Sequence, residues 1–189
     1  MHGLLLAAGA GRRMGRPKAL VETWLTDAVT VLRDGGCSRV TVVLGAGAEK
    51  ARPLLEGYDV DVVVAADWDE GMGASLRTGL RSLGDSLSTE GNAALVTLVD
   101  LPDIGPDVVR RLLDRPVSAD TLARAAYDGT PGHPVLIGRD HWAGVIESAI
   151  GDQGARSYLA SHEVELVECG DLATGRDVDV PTRDQPAAE

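Results

Sequence analysis

The chain contains no phenylalanine, and its few tryptophans and tyrosines make up only 3% of it. Stacking platforms for single-stranded nucleic acid are therefore too scarce. A basic surplus is missing as well, since 18 Lys and Arg stand against 29 Asp and Glu for a net charge of −11. That excludes a broad cationic face tracking a phosphate backbone, and with it a nucleic-acid partner. No apolar run approaches the roughly 20 residues that span a bilayer. Strand-like sequence begins at Gly3 without the basic flank of a signal peptide. The expected location is cytoplasmic, with no membrane partner. Cys37 and Cys169 are far apart and fit no metal-ligand spacing, so both read as reduced and partly buried. The dipeptide Gly-Lys is absent, which rules out a Walker loop. A dinucleotide fingerprint fails too, because Met14 stands three residues after Gly11 and Gly15 comes one position late. No carboxylate follows the second apolar run, Val40–Leu44, where the ribose partner of such a fingerprint belongs.

What is present is a glycine-rich loop directly after an apolar run. Gly3–Ala8 reads as a buried parallel strand, and Gly9-Ala-Gly11 leads into Arg12, Arg13, Arg16, Pro17 and Lys18. Such a loop offers backbone N–H donors to an anion, and its cations add mobile positive charge. In so acidic a protein, this local excess of cations points to a phosphate ligand. The overall acidity also suits a divalent cation nearby.

Strand-type runs alternate with helix-type segments. Strands are expected at Gly3–Ala8, Val40–Leu44, Val60–Ala65, Ala94–Val99 and Leu122–Ala126, and helices at Thr26–Asp34, Glu49–Leu55, Ser75–Leu83 and Asp107–Asp114. Near-continuous Val/Leu runs imply strands covered on both faces, hence a parallel sheet. The expected fold class is α/β, a three-layer doubly wound, mostly parallel sheet with its ligand site at the carboxyl ends of the strands. After Tyr127-Asp-Gly129 the pattern changes, with a short strand at His133–Ile137, helical segments at Trp142–Ala149 and Ala155–His162, and a strand-like run at Val164–Val167. This half is expected to extend the sheet and build the second wall of a cleft. The length fits one domain over 1–185, with a frayed tail from Pro186 and a polar loop over Ser86–Asn92.

Asp100 follows the run Ala94–Val99, so its carboxylate lies at the cleft end of a central strand, where it is costly unless paired or metal-bound. It could instead cap the helix near Pro106, although Asp103 or Gly105 is better placed for that. Gly175–Asp184 is an acidic turn when read alone.

The segment Leu6–Lys18 resembles the L-A-A-G-x-G-x-R-M-x-x-x-P-K signature of nucleotidyltransferases, with a spacer one residue shorter before Pro17. It is most similar to the MobA-like NTP transferases of molybdenum-cofactor chemistry, and the likeness runs from Leu4 to about Asp184. The resemblance implies a Rossmann-like nucleotidyltransferase fold. It also implies that Leu6, Ala7, Ala8, Gly9, Gly11, Arg13 and Lys18 bind the nucleotide, with Arg13, Lys18 and Asp100 catalytic. Asp177-Val-Asp-Val-Pro181 looks like the family's closing D-x-D-x-P, which makes Asp179, with Asp177 as the alternative, the partner of Asp100 in holding Mg²⁺. Trp68–Leu76 resembles a G-M-S-S-S-L segment in which two serines are replaced by Gly73 and Ala74, and Gly151–Arg156 resembles G-D-x-G-A-R. Ser75, His133 and Arg156 are the implied acceptor contacts, although His133 could equally be a half-buried turn residue and Gly151–Arg156 only a capped helix start. A short G-x-P-L hairpin usual between P-K-x-L and the first helix finds no room where Pro17–Glu22 passes to Thr23–Asp27, which leaves the outer edge of the nucleotide site unspecified.

The implied reaction is magnesium-dependent transfer of a nucleoside monophosphate onto a phosphorylated acceptor, with release of pyrophosphate. Ala7-Ala8-Gly9, where guanylyl-transferring members carry L-A-G-G, favours CTP with molybdopterin as acceptor. Two rival readings are an NAD(P)H-dependent reductase of a dye or quinone on the same scaffold, and a nucleotide- or cofactor-binding protein without turnover. The sequence does not specify an oligomeric state.

Overall fold

In the computed structural model, which describes residues 1–85 and 91–178, the apolar run after Met1 forms the central strand β1 (His2–Ala7). Its neighbours β2 (Arg39–Leu44) and β4 (Ala93–Leu98) flank it in parallel register, and β3 (Asp61–Val64) adds to the outer side of β2. These central strands are buried along most of their length because both faces are covered. On one face, helix α1 (Trp24–Asp34) supplies Leu25, Val29 and Leu32, and α4 (Pro106–Leu113) supplies Val108, Val109 and Leu112. On the other, α3 (Met72–Asp85) supplies Leu76 and Leu80. Short α2 (Ala48–Ala51) runs into a 3₁₀ turn at Arg52–Leu55, as Pro53 lacks the N–H that a longer α-helix would need.

The second half completes a seven-stranded sheet of order β3-β2-β1-β4-β6-β5-β7. Strands β5 (Leu122–Tyr127) and β6 (Thr130–Gly138) form an antiparallel hairpin, and β6 also pairs antiparallel with β4. The expected start of β6 at His133 moves forward to Thr130. The cause is Asp128-Gly129, where both residues have positive φ (50° and 75°), the geometry of a two-residue hairpin turn. The ladder is interrupted between Arg124–Val135 and Ala126–Pro131, where Pro134 has no N–H to give. Helices α5 (Trp142–Ser148) and α6 (Arg156–Ala160) bring Trp142, Val145 and Leu159 to the α3 side, and β7 (Glu165–Glu168) closes the sheet beside β5. The architecture is the expected α/β three-layer one, with β6 as the antiparallel element. The expected loop over 86–92 falls mostly outside the described residues, as do Asp179 and the tail.

The order in which strands are added to the sheet reverses between β1 and β4. The chain leaves β1 through α1 on one face and returns to β4 through α3 on the other, which makes this the switch point where α/β folds bind ligands.

Gly35 lets α1 and α4 meet. A Cβ there would lie 2.4 Å from Val109 Cβ and 2.9 Å from the Val31 carbonyl. Its φ of −74° is ordinary helical backbone, so propensity alone predicts that Gly35→Ala stabilises by about 0.5–1 kcal/mol. The clash predicts the opposite sign, a loss of about 1–3 kcal/mol, read as a lower urea midpoint at unchanged slope. A gain in stability would show that the two helices can part without cost.

Candidate active site

Beyond β1 the chain makes the glycine loop. The Lys18 N–H donates to the Gly9 carbonyl at 3.1 Å and the Met14 N–H to the Gly11 carbonyl at 2.9 Å. Gly11 is left-handed (φ 57°), and a Cβ on it would stand 2.0 Å from the Arg16 carbonyl oxygen. No other residue fits this turn. Arg12 and Arg13 are exposed on the loop, and both line a cavity of about 170 Å³ that Gly11, Met14 and Lys18 complete.

A larger cavity, about 350 Å³, opens at the carboxyl ends of β1 and β4, lined among others by Leu6, Gly9, Lys18, Met72, Ser75 and Asp100. Asp100 is 6% exposed and forms an ion pair with Lys18. The pair spans the switch point, one member from the turn after each central strand. Removing one partner of so buried a pair leaves an uncompensated charge, typically worth about 3–5 kcal/mol. Among the expected nucleotide contacts, Ala8 and Gly11 also line this cavity. Ala7 instead packs in the core on the α1 side of the sheet, and Arg12 rather than Arg13 reaches the larger cavity.

The opposite wall is the turn Trp68–Glu70 with the start of α3. Gly45 allows Trp68 onto Ala8, since a Cβ would lie 2.6 Å from Trp68 Cβ and 2.7 Å from Ala8 Cβ. Gly71 and Gly73 let this wall meet the turn Gly151–Gln153. Added Cβ atoms would fall 2.5 Å from Asp152 Oδ1 and 2.7 Å from the Ala149 carbonyl respectively. The glycine at 73 is thus matched to a close backbone approach. Arg77, unnoticed in the sequence, ties the wall together: it donates to the Ala149 carbonyl (2.7 Å), Asp67 (3.0 Å) and Glu70 (2.8 Å). The hydrogen bond to Glu70, with further help from Asp67, holds its pKa above the ordinary value. Ser75 is buried in the cavity wall, and its hydroxyl makes no hydrogen bond among the described residues.

The described residues of β6 and of the C-terminal segment lie outside the lining of this cavity. Tyr127 donates its hydroxyl to the His133 carbonyl at 2.6 Å, and its ring fills the space left by Gly132 and Gly175. Asp103 does not cap α4, whose N-cap is Gly105. Its carboxylate accepts instead from the Thr174 N–H (2.7 Å) and hydroxyl (2.5 Å). The Val178 N–H then donates to the Asp100 carbonyl at 3.0 Å, which brings the acidic segment to the loop that carries Asp100. Asp179 lies outside the described residues, and Asp177 is exposed. Among the described residues no group of three His, Cys, Asp or Glu side chains could hold a metal ion. Among the described residues, Asp100 is the one carboxylate in the larger cavity that is both buried and beside the glycine loop. His133 and Arg156 do not line that cavity; they lie on its β5–β6 side and at the start of α6. No helix among the described residues is long and apolar enough to cross a membrane.

Residues 3–166 match the family described as the MobA-like NTP transferase domain. The chain is 40% identical to the nicotine blue oxidoreductase of Paenarthrobacter nicotinovorans, over 94% of this chain and 91% of that one. It is 26% identical to a probable molybdenum cofactor guanylyltransferase of Mycobacterium ulcerans, over 97% and 94% of the two. The Mycobacterium tuberculosis H37Rv protein Rv0371c superposes with a TM-score of 0.76 at 28% identity, over 95% of this chain and 92% of that one. A manganese complex of that protein superposes with a TM-score of 0.67 at 26% identity, over 89% and 87%. The chain belongs to the MobA-like NTP transferase family.

Burial, aided by the nearby positive charge of Arg124, pushes the His133 pKa down to about 4. An unfolded histidine titrates near 6.5. Folding therefore keeps this ring neutral, and the associated stability is complete above about pH 6.5 and lost as pH falls toward 4. Between pH 7 and pH 5, the wild type should lose of order 2 kcal/mol more unfolding free energy than His133→Gln. Equal losses in the two proteins would show that the ring titrates normally.

Proposed function

We propose, from family membership and the geometry of the larger cavity, that the chain moves a nucleoside monophosphate from a nucleoside triphosphate onto an anionic acceptor. The observation that carries this reading is the buried Lys18–Asp100 pair beside a glycine loop that no side chain could enter at Gly11. The loop N–H groups, Lys18 and the arginines at 12 and 13 would hold the triphosphate. Asp100 would hold a divalent ion, with Asp179 as its second carboxylate; bound there, Mg²⁺ or Mn²⁺ neutralises charge on the phosphates. An oxygen of the acceptor attacks the α-phosphorus, the bond to the bridging α–β oxygen breaks, and pyrophosphate leaves with the electron pair. A phosphate oxygen is already deprotonated at neutral pH, so no general base is needed. Positioning and electrostatics supply the catalysis.

Relatives named molybdenum cofactor guanylyltransferases favour GTP over the CTP that Ala7-Ala8-Gly9 suggests, with molybdopterin as the acceptor. Ser75, with its hydroxyl in the cavity wall, serves that acceptor side. A second reading rests on the 40% identical relative named as an oxidoreductase, reduction of a dye by NAD(P)H.

One experiment separates the two. Pyrophosphate release is followed for GTP, CTP, ATP and UTP with Mg²⁺ or Mn²⁺, with and without molybdopterin, beside NAD(P)H oxidation with nicotine blue. Release that requires metal and acceptor is expected, strongest with GTP, and Lys18→Met should lower kcat/KM by about 10²–10³. No pyrophosphate from any nucleotide, together with dye-dependent NAD(P)H oxidation, would overturn the transfer reading.

A further inference from the structure

Aromatic rings are scarce in this chain, and its three tryptophans differ in what surrounds them. Trp142 is buried, its indole N–H donates to the Ile137 carbonyl at 3.0 Å, and the Arg139 guanidinium lies 5.9 Å from its ring centroid. Trp24 opens α1 and packs against the core on that side of the sheet. Neither of them lines the larger cavity. Trp68 does, and it is half-buried there. Its indole makes no hydrogen bond and meets no other ring among the described residues. An indole so far withdrawn from water ordinarily finds a partner for its N–H.

The position of Trp68 is fixed before any ligand arrives. Its root stands against Gly45, where a Cβ would lie 2.6 Å from Trp68 Cβ and 2.8 Å from its Cγ. Asp67 and Glu70, which flank it in the turn, are both held by Arg77, at 3.0 and 2.8 Å. The Gly71 N–H donates to the Trp68 carbonyl at 3.2 Å and closes the turn. A side chain locked in this way has little freedom left to lose on binding. Around it the cavity is apolar at Leu6, Ala8, Met72 and Leu98. Its volume of about 350 Å³ suits a small-molecule ring system. The glycine loop begins directly after Ala8, so an anion-binding turn and an unpartnered aromatic ring share one cavity.

We propose that Trp68 is the stacking surface of the larger cavity, and that the ligand it takes there is a planar heterocycle joined to a phosphate group. Nucleoside triphosphates, molybdopterin and NADPH all carry such a ring, so the proposal stands whichever of the two readings above holds. Fluorescence and calorimetric titrations with Mg²⁺ are run on the wild type, Trp68→Phe and Trp68→Leu. The ligands are GTP, CTP, molybdopterin and NADPH, each in turn, with inorganic tripolyphosphate as the probe that lacks a ring. At least one ring ligand is expected to quench the wild-type tryptophan emission. Trp68→Phe should abolish that quenching yet keep the affinity within about threefold, because a ring remains to stack on. Trp68→Leu, apolar but without a π face, should weaken the same ligand by about five- to a hundredfold and leave any tripolyphosphate affinity unchanged. The ligand so affected is the one whose ring rests on Trp68. Retained affinity in the Phe variant guards against a Leu variant that merely misfolds. Binding of no ring ligand, or equal affinity in the wild type and Trp68→Leu, would overturn the proposal. An equal loss for tripolyphosphate would do so too, since Trp68 would then only pack the wall. Binding and not turnover is read here, so a lack of pyrophosphate release bears on the transfer reading alone.

Discussion

A lysine and an aspartate, largely withdrawn from water, face each other across the point where the strand order reverses, and the rest of the site is arranged around them. Each comes from the turn after a central strand, so their meeting requires β1 and β4 to be adjacent and parallel. That adjacency requires α1 and α3 to cover opposite faces. Without ligand, the two charges compensate each other in a place where either alone would be costly. In the proposed reaction a triphosphate with its metal would offer each a new partner, phosphate oxygens for Lys18 and the cation for Asp100. The pair thus holds both side chains at the cavity.

Close backbone approach is the second constraint. Gly11 shapes the loop, Gly45 admits Trp68 against Ala8, and Gly71 and Gly73 press the start of α3 against the turn at Gly151–Gln153. Arg77 locks that contact with three hydrogen bonds. On the far side, Gly132 and Gly175 sandwich the Tyr127 ring, and the Asp103–Thr174 clasp carries the C-terminal segment to Asp100. Segments from distant parts of the chain converge because small residues let them.

Much of this was legible in the residues. The apolar runs located the strands to within a few residues, since a doubly covered strand needs nothing but branched aliphatics. The glycine loop and Asp100 were legible for a related reason: buried backbone turns and buried carboxylates are tolerated only where something uses them. The antiparallel entry of β6 was harder to read, because Asp128-Gly129 marks a hairpin only once both flanking runs are seen as strands. Arg77 gave no signal, since an arginine inside a helix looks the same whether it meets solvent or a carboxylate. Asp103 was legible as a polar residue near a helix start, but its partner Thr174 lies far along the chain, beyond any local pattern.

The most direct test is the affinity for Mn²⁺, read by its electron paramagnetic resonance signal in the presence of a non-hydrolysable GTP analogue, for the wild type and Asp100→Asn. Tight metal binding that depends on the nucleotide, and that weakens at least about tenfold in the variant, is the expected result. Metal affinity that is the same in both proteins, or indifferent to nucleotide, would contradict the role given to the buried pair.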